Sequence, residues 1–391
     1  MNIFYLSLPA KIDFGWGITN SLPTHIKNFG ENALIFTGES SLYESGIINN
    51  IADALNDVSI SYNIIKVATE PSIELIDEIT DELKSSEKKD FDVIVAIGGG
   101  SVIDTAKAVG AMLTENCSIS DFFGSQSKTI SARQIPLIAV PSTSGSGSET
   151  SDTAFINEKG FRKHLLRHNS LLPDLILTDP SLTITIPQNI MLNSVMLCLS
   201  QLIEVYISSD ASSFTDVLMV EGIRRLEMNM KKAVFGSADT EVHDNLSYAS
   251  MLSGIGLTNA TPTVHSGIAQ SISAIYDIPY GAISAALLYA TSLVNMRKVQ
   301  LFDPNSTATA KYAMVGAILS GLEYDFEKHH VLLRAASQKL LEMRDEFSVP
   351  LLKQLGVLKE DFYRIASSID QGSNPVELAE TEIIEILEMS Y

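Results

Sequence analysis

The chain has 391 residues, 45% hydrophobic and 19% charged, with 27 Lys and Arg against 47 Asp and Glu for a formal net charge of −20. A chain of that length buries a large core and is expected to form two domains, and so negative a surface excludes binding to nucleic acid or an anionic membrane, which need basic patches. Cys117 and Cys198 lie far apart, which gives neither a disulfide framework nor a thiolate metal site; with no leader pattern and no uninterrupted 18-residue apolar span, a soluble cytoplasmic protein is the expectation.

Residues 3–8 and 11–15 read as two short opening strands, followed by a helix around Asn20–Phe29. Ala33–Thr37 reads as a buried strand that ends in the turn Gly38-Glu39-Ser40-Ser41, and a helix runs from there to about Asn56. Ser59–Val67 is the next strand; it ends in Ala68-Thr-Glu-Pro71, and a helix over Ser72–Ser86 leads to the apolar run Asp92–Ile97. Such a run, bounded by turn residues, is the pattern of a strand buried on both faces of a parallel sheet. Directly after it, Gly98-Gly-Gly-Ser-Val-Ile-Asp-Thr-Ala-Lys107 must turn sharply and start a helix. Gln134–Val140 is a further buried strand, ending in a second loop rich in glycine and hydroxyl groups, Pro141–Glu149.

Strands alternating with helices imply a parallel sheet covered on both faces, with ligands outside the carboxyl ends of its strands. Gly38, Glu70, Gly98 and Ser142 all fall at that edge. Three glycines between strand and helix remove every Cβ where backbone would pass close to a ligand, and the helix N-terminus offers amides to a phosphate. Ser101 and Asp104 can either cap the first turn or hydrogen-bond a ligand. The spacing is neither G-x-G-x-x-G nor a Walker loop, so a plain βα turn stays open as the alternative.

After Asp174–Pro180 the character changes: from about Ile186 onward only amphipathic helical segments appear, near 188–208, 213–233, 240–257, 282–298, 309–321, 326–345 and 377–389. A domain boundary is therefore expected near residue 183, giving an α/β domain over 1–183 and an all-helical domain over 184–391.

With Ser at its fourth position and Asp and Lys beyond, the glycine loop resembles the GGGSxxDxxK signature of the iron-containing (group III) alcohol dehydrogenases. Lys11-Ile-Asp-Phe-Gly15, the Pro141–Glu149 loop, Lys163, Thr178-Asp-Pro180, Gly254–Asn259, Val264-His265, Ile278-Pro-Tyr-Gly281 and Asn374-Pro-Val-Glu-Leu378 follow in the family's order, so the resemblance covers nearly the whole chain. It implies a Rossmann-like N-terminal domain followed by an all-α domain (the dehydroquinate synthase-like fold), with an active site in the cleft. It further implies that Gly98, Gly99, Gly100, Ser101 and Asp104 belong to the dinucleotide loop, that Ser142, Thr143 and Ser146 contact the nucleotide, and that Lys163 supplies a cation near the cofactor. Gly38 stands where NAD-preferring members carry an Asp for the ribose hydroxyls. A glycine there removes repulsion against a 2′-phosphate, which Ser40 and Ser41 could hydrogen-bond, whereas Glu39 opposes it; NAD or NADP is expected, with a lean to NADP.

The departure lies at the metal. Members of the family hold one divalent ion through an Asp and a His one helical turn apart and two further His. Here Leu197 stands at the Asp position and Gln201 at the first His position, His265 keeps the second, and Tyr280 replaces the third; a further family His, four residues after His265, is Ala269. No metal is expected. A proton donor must then stabilise the developing alkoxide, and Tyr280 and His265, assisted by Gln201, are the candidates. Packing without a catalytic role is the alternative for each. His25, His164, His168, His243, His329 and His330 show no partner pattern and are expected at the surface.

Three readings follow: a metal-independent alcohol dehydrogenase or aldehyde/ketone reductase, a catalytically inactive nucleotide-binding homologue acting as a partner or regulatory subunit, and a lyase or synthase that uses bound NAD transiently. A small alcohol, aldehyde or ketone is the expected substrate, and a homodimer is implied by analogy with the family.

Overall fold

The computed structural model describes residues 4–86, 90–124, 127–131, 135–160 and 162–391. The chain divides into two compact units, one of Ser7–Lys159 with Lys163–Pro187, the other of Gln188–Tyr391 joined by residues 4–6, 160 and 162. The break falls after Pro187, four residues beyond the expected 183.

The first unit is built on β1 (Ile12–Phe14), β2 (Asn32–Gly38), β3 (Ser61–Val67), β4 (Val93–Gly98), β5 (Leu137–Pro141), β6 (Thr153–Glu158), β7 (Arg162–Arg167) and β8 (Leu175–Thr178). Six of them form one sheet in the order β1-β8-β5-β4-β2-β3, and every pairing in it is parallel. All of β4 is buried, whereas β3 at the sheet edge alternates between exposed and half-buried, as an edge strand covered on one face should. The chain runs outward from β2 to β3 and then returns to place β4 on the other side of β2, so the strand order reverses between Gly38 and Gly98. In open α/β sheets that reversal is where ligands bind.

Alternation along the strands fixes the two faces. Ile35, Val95 and Val140 pack with α1 (Leu22–Lys27), α2 (Ser41–Glu44) and α3 (Ile47–Asp57), while Leu34, Phe36 and Ile94 pack with α4 (Ile73–Ser85) and α5 (Gly100–Met112). Ser72 caps α4 by accepting the Leu75 N–H at 3.2 Å.

Two expectations for this unit change. Residues 4–8 form no strand: Phe4, Tyr5, Leu6 and Leu8 stay largely exposed, and only Ile12–Phe14 finds a partner, in β8. The β6–β7 hairpin was not expected, although Asn157-Glu-Lys-Gly160 carries a turn signal and Gly160 sits at φ +73°. Gln134, expected to open β5, lies outside the described residues.

The second unit is helical throughout its described residues from Gln188 onward: α6 (Gln188–Ile207), α7 (Ser213–Val234), α8 (Thr240–Asn259), α9 (Val264–Ile275), α10 (Tyr280–Phe302), α11 (Thr307–Ser320), α12 (His329–Glu346), α13 (Phe362–Ser367) and α14 (Glu380–Met389). α9 and α13 were not anticipated; α9 is mostly Ile, Ala, Ser and Gly and lacks a charged face to mark its period. α6 has a mean hydropathy of 1.7 over an 18-residue stretch and is long enough to cross a membrane, although Asn193, Ser194, Ser200, Gln201 and Glu204 interrupt it, so no uninterrupted apolar span is present there. Since 83% of that stretch is buried inside the protein, it forms the core of the unit. His243 and His329, expected at the surface, are corrected: both are buried, paired with the Ser237 carbonyl and the Tyr324 hydroxyl.

Candidate functional site

The glycine loop and the Pro141–Glu149 loop meet at the carboxyl edge of the parallel sheet, where the Ser142 N–H donates to the Gly98 carbonyl at 2.9 Å. A Cβ on Gly99 would come within 3.2 Å of Thr143 Oγ1, and one on Gly100 within 2.6 Å of Ser146 Oγ. A Cβ on Gly98 would meet the branched Val102 side chain at 2.6 Å. The expectation that these glycines clear space for a ligand is therefore refined. They let the protein's own second loop close over the first, which brings the hydroxyls of Thr143 and Ser146 to the N-terminus of α5. Gly99 is the N-cap of α5 and no side chain caps it; the Val102 N–H turns back to the Gly99 carbonyl at 3.1 Å, and the amides of Gly100 and Ser101 lie ahead of it at the helix start. Gly38, at the end of β2, has nothing within 4 Å of its Cβ position, and Ser40 and Ser41 beside it are exposed.

Lys107 holds the second loop in place. Its ammonium is wholly buried and donates to the carbonyls of Ser148, Ser151 at 2.7 Å and Thr153 at 2.9 Å, and to Ser151 Oγ at 3.1 Å. Asp104, expected among the cofactor contacts, is buried and accepts the Phe155 N–H from β6 at 3.0 Å, a structural tie rather than a cap. Burial raises its pKa, and the Lys107 charge opposes the rise. Glu149, in the same loop, is pushed up to about 7 by burial.

Lys163 reaches the same edge from β7. Its side chain is 2% exposed, and Nζ donates to Glu70 Oε2 at 3.1 Å. Ser101 Oγ donates to Glu70 Oε1, also at 3.1 Å. The carboxylate thus bridges the first turn of α5 and the hairpin. Lys66, at the end of β3, lies 4.3 Å from the Tyr43 ring centroid and brings a cation to the turn after β2. Sequence reading overlooked it because edge-strand lysines are common.

In the second unit, α6, α9 and α10 carry the positions of the expected chemistry. Leu197 and Gln201 lie one turn apart on α6, His265 is the second residue of α9, and Tyr280 is the first residue of α10 and is half-buried. Ser253 Oγ lies 3.2 Å from Gln201 Oε1 and 2.8 Å from the Ser250 carbonyl, to which it can also donate. Ser284, one turn after Tyr280, lies 2.8 Å from His265 Nε2 and 2.7 Å from Ser200 Oγ, and Ser200 Oγ donates to the Leu197 carbonyl at 2.7 Å. With Ser200 donating to Leu197, Ser284 can donate to Ser200 and accept from His265, an arrangement that suits the Nε2–H tautomer. Burial drops the His265 pKa to about 3, so the ring is neutral. Glu204, a turn beyond Gln201, anchors the start of α9: it accepts the N–H and hydroxyl of Thr263 at 3.0 and 2.9 Å, and those of Ser266 at 2.9 and 2.8 Å. Burial raises it to about 7 against those bonds. Ser200, Ser253 and Ser284 carry no sequence signal of their own.

The family model for the iron-containing alcohol dehydrogenases matches residues 9–180, and the model for the C-terminal region of the Fe-containing alcohol dehydrogenase family matches residues 192–391. The chain belongs to the iron-containing alcohol dehydrogenase family. An alcohol dehydrogenase of Thermococcus barophilus is 30% identical, with 99% of each chain covered, and an NAD-dependent methanol dehydrogenase of Bacillus methanolicus is 24% identical, with 97% of each covered. The solved structure of an iron-containing alcohol dehydrogenase from Thermococcus thioreducens superposes with a TM-score of 0.85 at 26% identity, covering 99% of both chains.

The donor set at the family's metal position does not fit a divalent ion. Leu197 has no donor atom, Gln201 offers only a neutral amide, and the Nε2 of His265 lies 2.8 Å from Ser284 Oγ, so no carboxylate and at most one imidazole stand at these positions. The neighbouring carboxylate, Glu204, is occupied at the start of α9. Among the described residues no group of three or more His, Cys, Asp or Glu could hold an ion.

Proposed function

We propose that the protein is an NAD(P)-dependent oxidoreductase, an alcohol dehydrogenase or aldehyde/ketone reductase that works without a catalytic metal. One contrast carries this reading: the two loops at the carboxyl edge are built like a dinucleotide cradle, while the residues at the family's metal position include no carboxylate and only one imidazole. The first-turn amides of α5 with Thr143, Ser146 and the backbone of Gly99 and Gly100 are the groups that would hold a pyrophosphate. The open space at Gly38, the exposed hydroxyls of Ser40 and Ser41, and Lys66 favour NADP, and Glu39 opposes it. When bound, the nicotinamide supplies or accepts the hydride.

The chain itself must handle the proton. Tyr280 is assigned the donor role at its phenolic oxygen, since neutral His265 is paired through its Nε2 with Ser284 and serves to position α10. Gln201 orients the site through Ser253. Reduction of a panel of small aldehydes and ketones with NADPH and NADH tests the reading. Tyr280→Phe is expected to lower turnover about 100-fold or more while leaving NADPH affinity within about twofold. Equal turnover in the variant removes Tyr280 from the chemistry.

The inactive nucleotide-binding homologue is the second reading, and it is favoured by the internal use of both Gln201 and His265. Firm cofactor binding with no turnover on any carbonyl compound would select it. A cytoplasmic location and a homodimer belong to the same proposal, supported by the scarcity of cysteine and by analogy with the family.

A further inference from the structure

We propose that Glu70 sets how tightly this chain holds its dinucleotide, acting as an internal stand-in for a cofactor phosphate. The inference rests on the dinucleotide reading above. Each oxygen of the Glu70 carboxylate is committed to one polar group at the phosphate edge: Oε1 accepts from Ser101 Oγ and Oε2 from Lys163 Nζ, both at 3.1 Å. Ser101 lies in the first turn of α5, where the helix dipole and uncapped amides attract an anion. Lys163 is a nearly buried cation at the same edge, with its side chain 2% exposed against 31% for Glu70. Of the two charged members, the anion is therefore the more solvent-reachable.

A dinucleotide brings two phosphates to this edge. To reach Ser101 and Lys163 it must displace the carboxylate, which then remains close by as a like charge. Both effects weaken binding, and the formal charge of −20 adds to them at long range. Glu70 thereby sets a threshold: only a ligand whose anionic group outcompetes a tethered carboxylate can occupy the cradle. Adventitious anions are rejected, and the cofactor is held loosely enough to exchange.

The test is a fluorescence titration of NADH and NADPH into the full-length protein and into Glu70→Gln and Glu70→Ala, with NAD and NADP measured by competition. Both variants are expected to bind all four forms about tenfold more tightly, the change produced by removing one nearby charge at intermediate dielectric. Unchanged or weaker affinity in both variants overturns the inference, while saturable binding to the parent protein leaves the dinucleotide reading standing. Tighter binding of the reduced forms alone, with weaker binding of the oxidised forms, also overturns it, because that pattern places Glu70 against the nicotinamide ring. Binding to none of the three proteins overturns both readings. Binding to the variants but not to the parent supports both. Matching melting temperatures show that the variants are folded.

Discussion

Lys107→Met is expected to destabilise the first unit by about 3–5 kcal/mol, the cost of removing one partner from a fully buried polar cluster. Lys107 is the hub of the second loop: the carbonyls of Ser148, Ser151 and Thr153 all converge on its ammonium. Methionine fills much of the same volume and donates nothing, so three buried carbonyls lose the ammonium together, and the remaining contacts of Ser148 and Thr153 with Ser151 are long, at 3.3 and 3.5 Å. Asp104 and Glu149 also lose the cation that opposes their upward shifts, and both move further toward the neutral form. Urea unfolding at neutral pH measures the loss. Because the same loop carries Thr143 and Ser146, dinucleotide affinity is expected to fall as well. A variant with unchanged stability would mean that the loop is held by something other than this lysine.

Glu204 carries the second large effect. Glu204→Leu strands four donors at the start of α9, the N–H and hydroxyl groups of Thr263 and Ser266, and is expected to cost about 3–5 kcal/mol. Glu204→Gln separates charge from shape. The folded-state pKa is about 7 against an ordinary value of 4.5, so the native state favours the protonated form. The stabilisation attached to that proton is fully present below about pH 4.5 and is lost as pH rises through 7. The Gln variant has no such term. Its stability relative to the parent protein is therefore expected to rise across that window, by a few kcal/mol at most, and to level off above it. Urea midpoints for both proteins from pH 4.5 to 8 give the difference directly; a relative stability that falls with pH would contradict the assignment.

Much of this molecule is legible in its sequence, and the illegible parts share physical causes. β2, β4 and β5 could be read because strands buried on both faces are nearly continuous apolar runs, as Val93–Ile97 is. The helices α7 and α8 have capping residues in Ser212 and Asp239, and α7, α8 and α12 have polar faces that mark their period. α9 has no charged face, and a buried helix without one leaves no amphipathic pattern. The opening strand over residues 3–8 failed because apolar alternation specifies a strand only where another strand is there to pair with it.

At the candidate site the motif positions could be read, whereas the use made of each side chain could not. Asp104 and Lys107 belong to the glycine signature, yet both point into the protein, Asp104 to β6 and Lys107 to the end of the second loop and the start of β6. The glycines face Val102, Thr143 and Ser146. The tautomer of His265 depends on Ser200 and Ser284, which are distant in sequence and unremarkable in type. Such couplings arise only when α6, α9 and α10 pack, so no local pattern announces them. The expected loss of ligands at Leu197 and Gln201 came from the resemblance to the family's motif; the contacts of Gln201 and His265 with serines required the fold.

One measurement tests the central claim most directly: fluorescence titration of the purified parent protein with NADH and NADPH, with metal content determined on the same sample. Saturable binding with substoichiometric iron and zinc is the expected result. A stoichiometric divalent metal held by the protein, or no binding of either nucleotide, would contradict it.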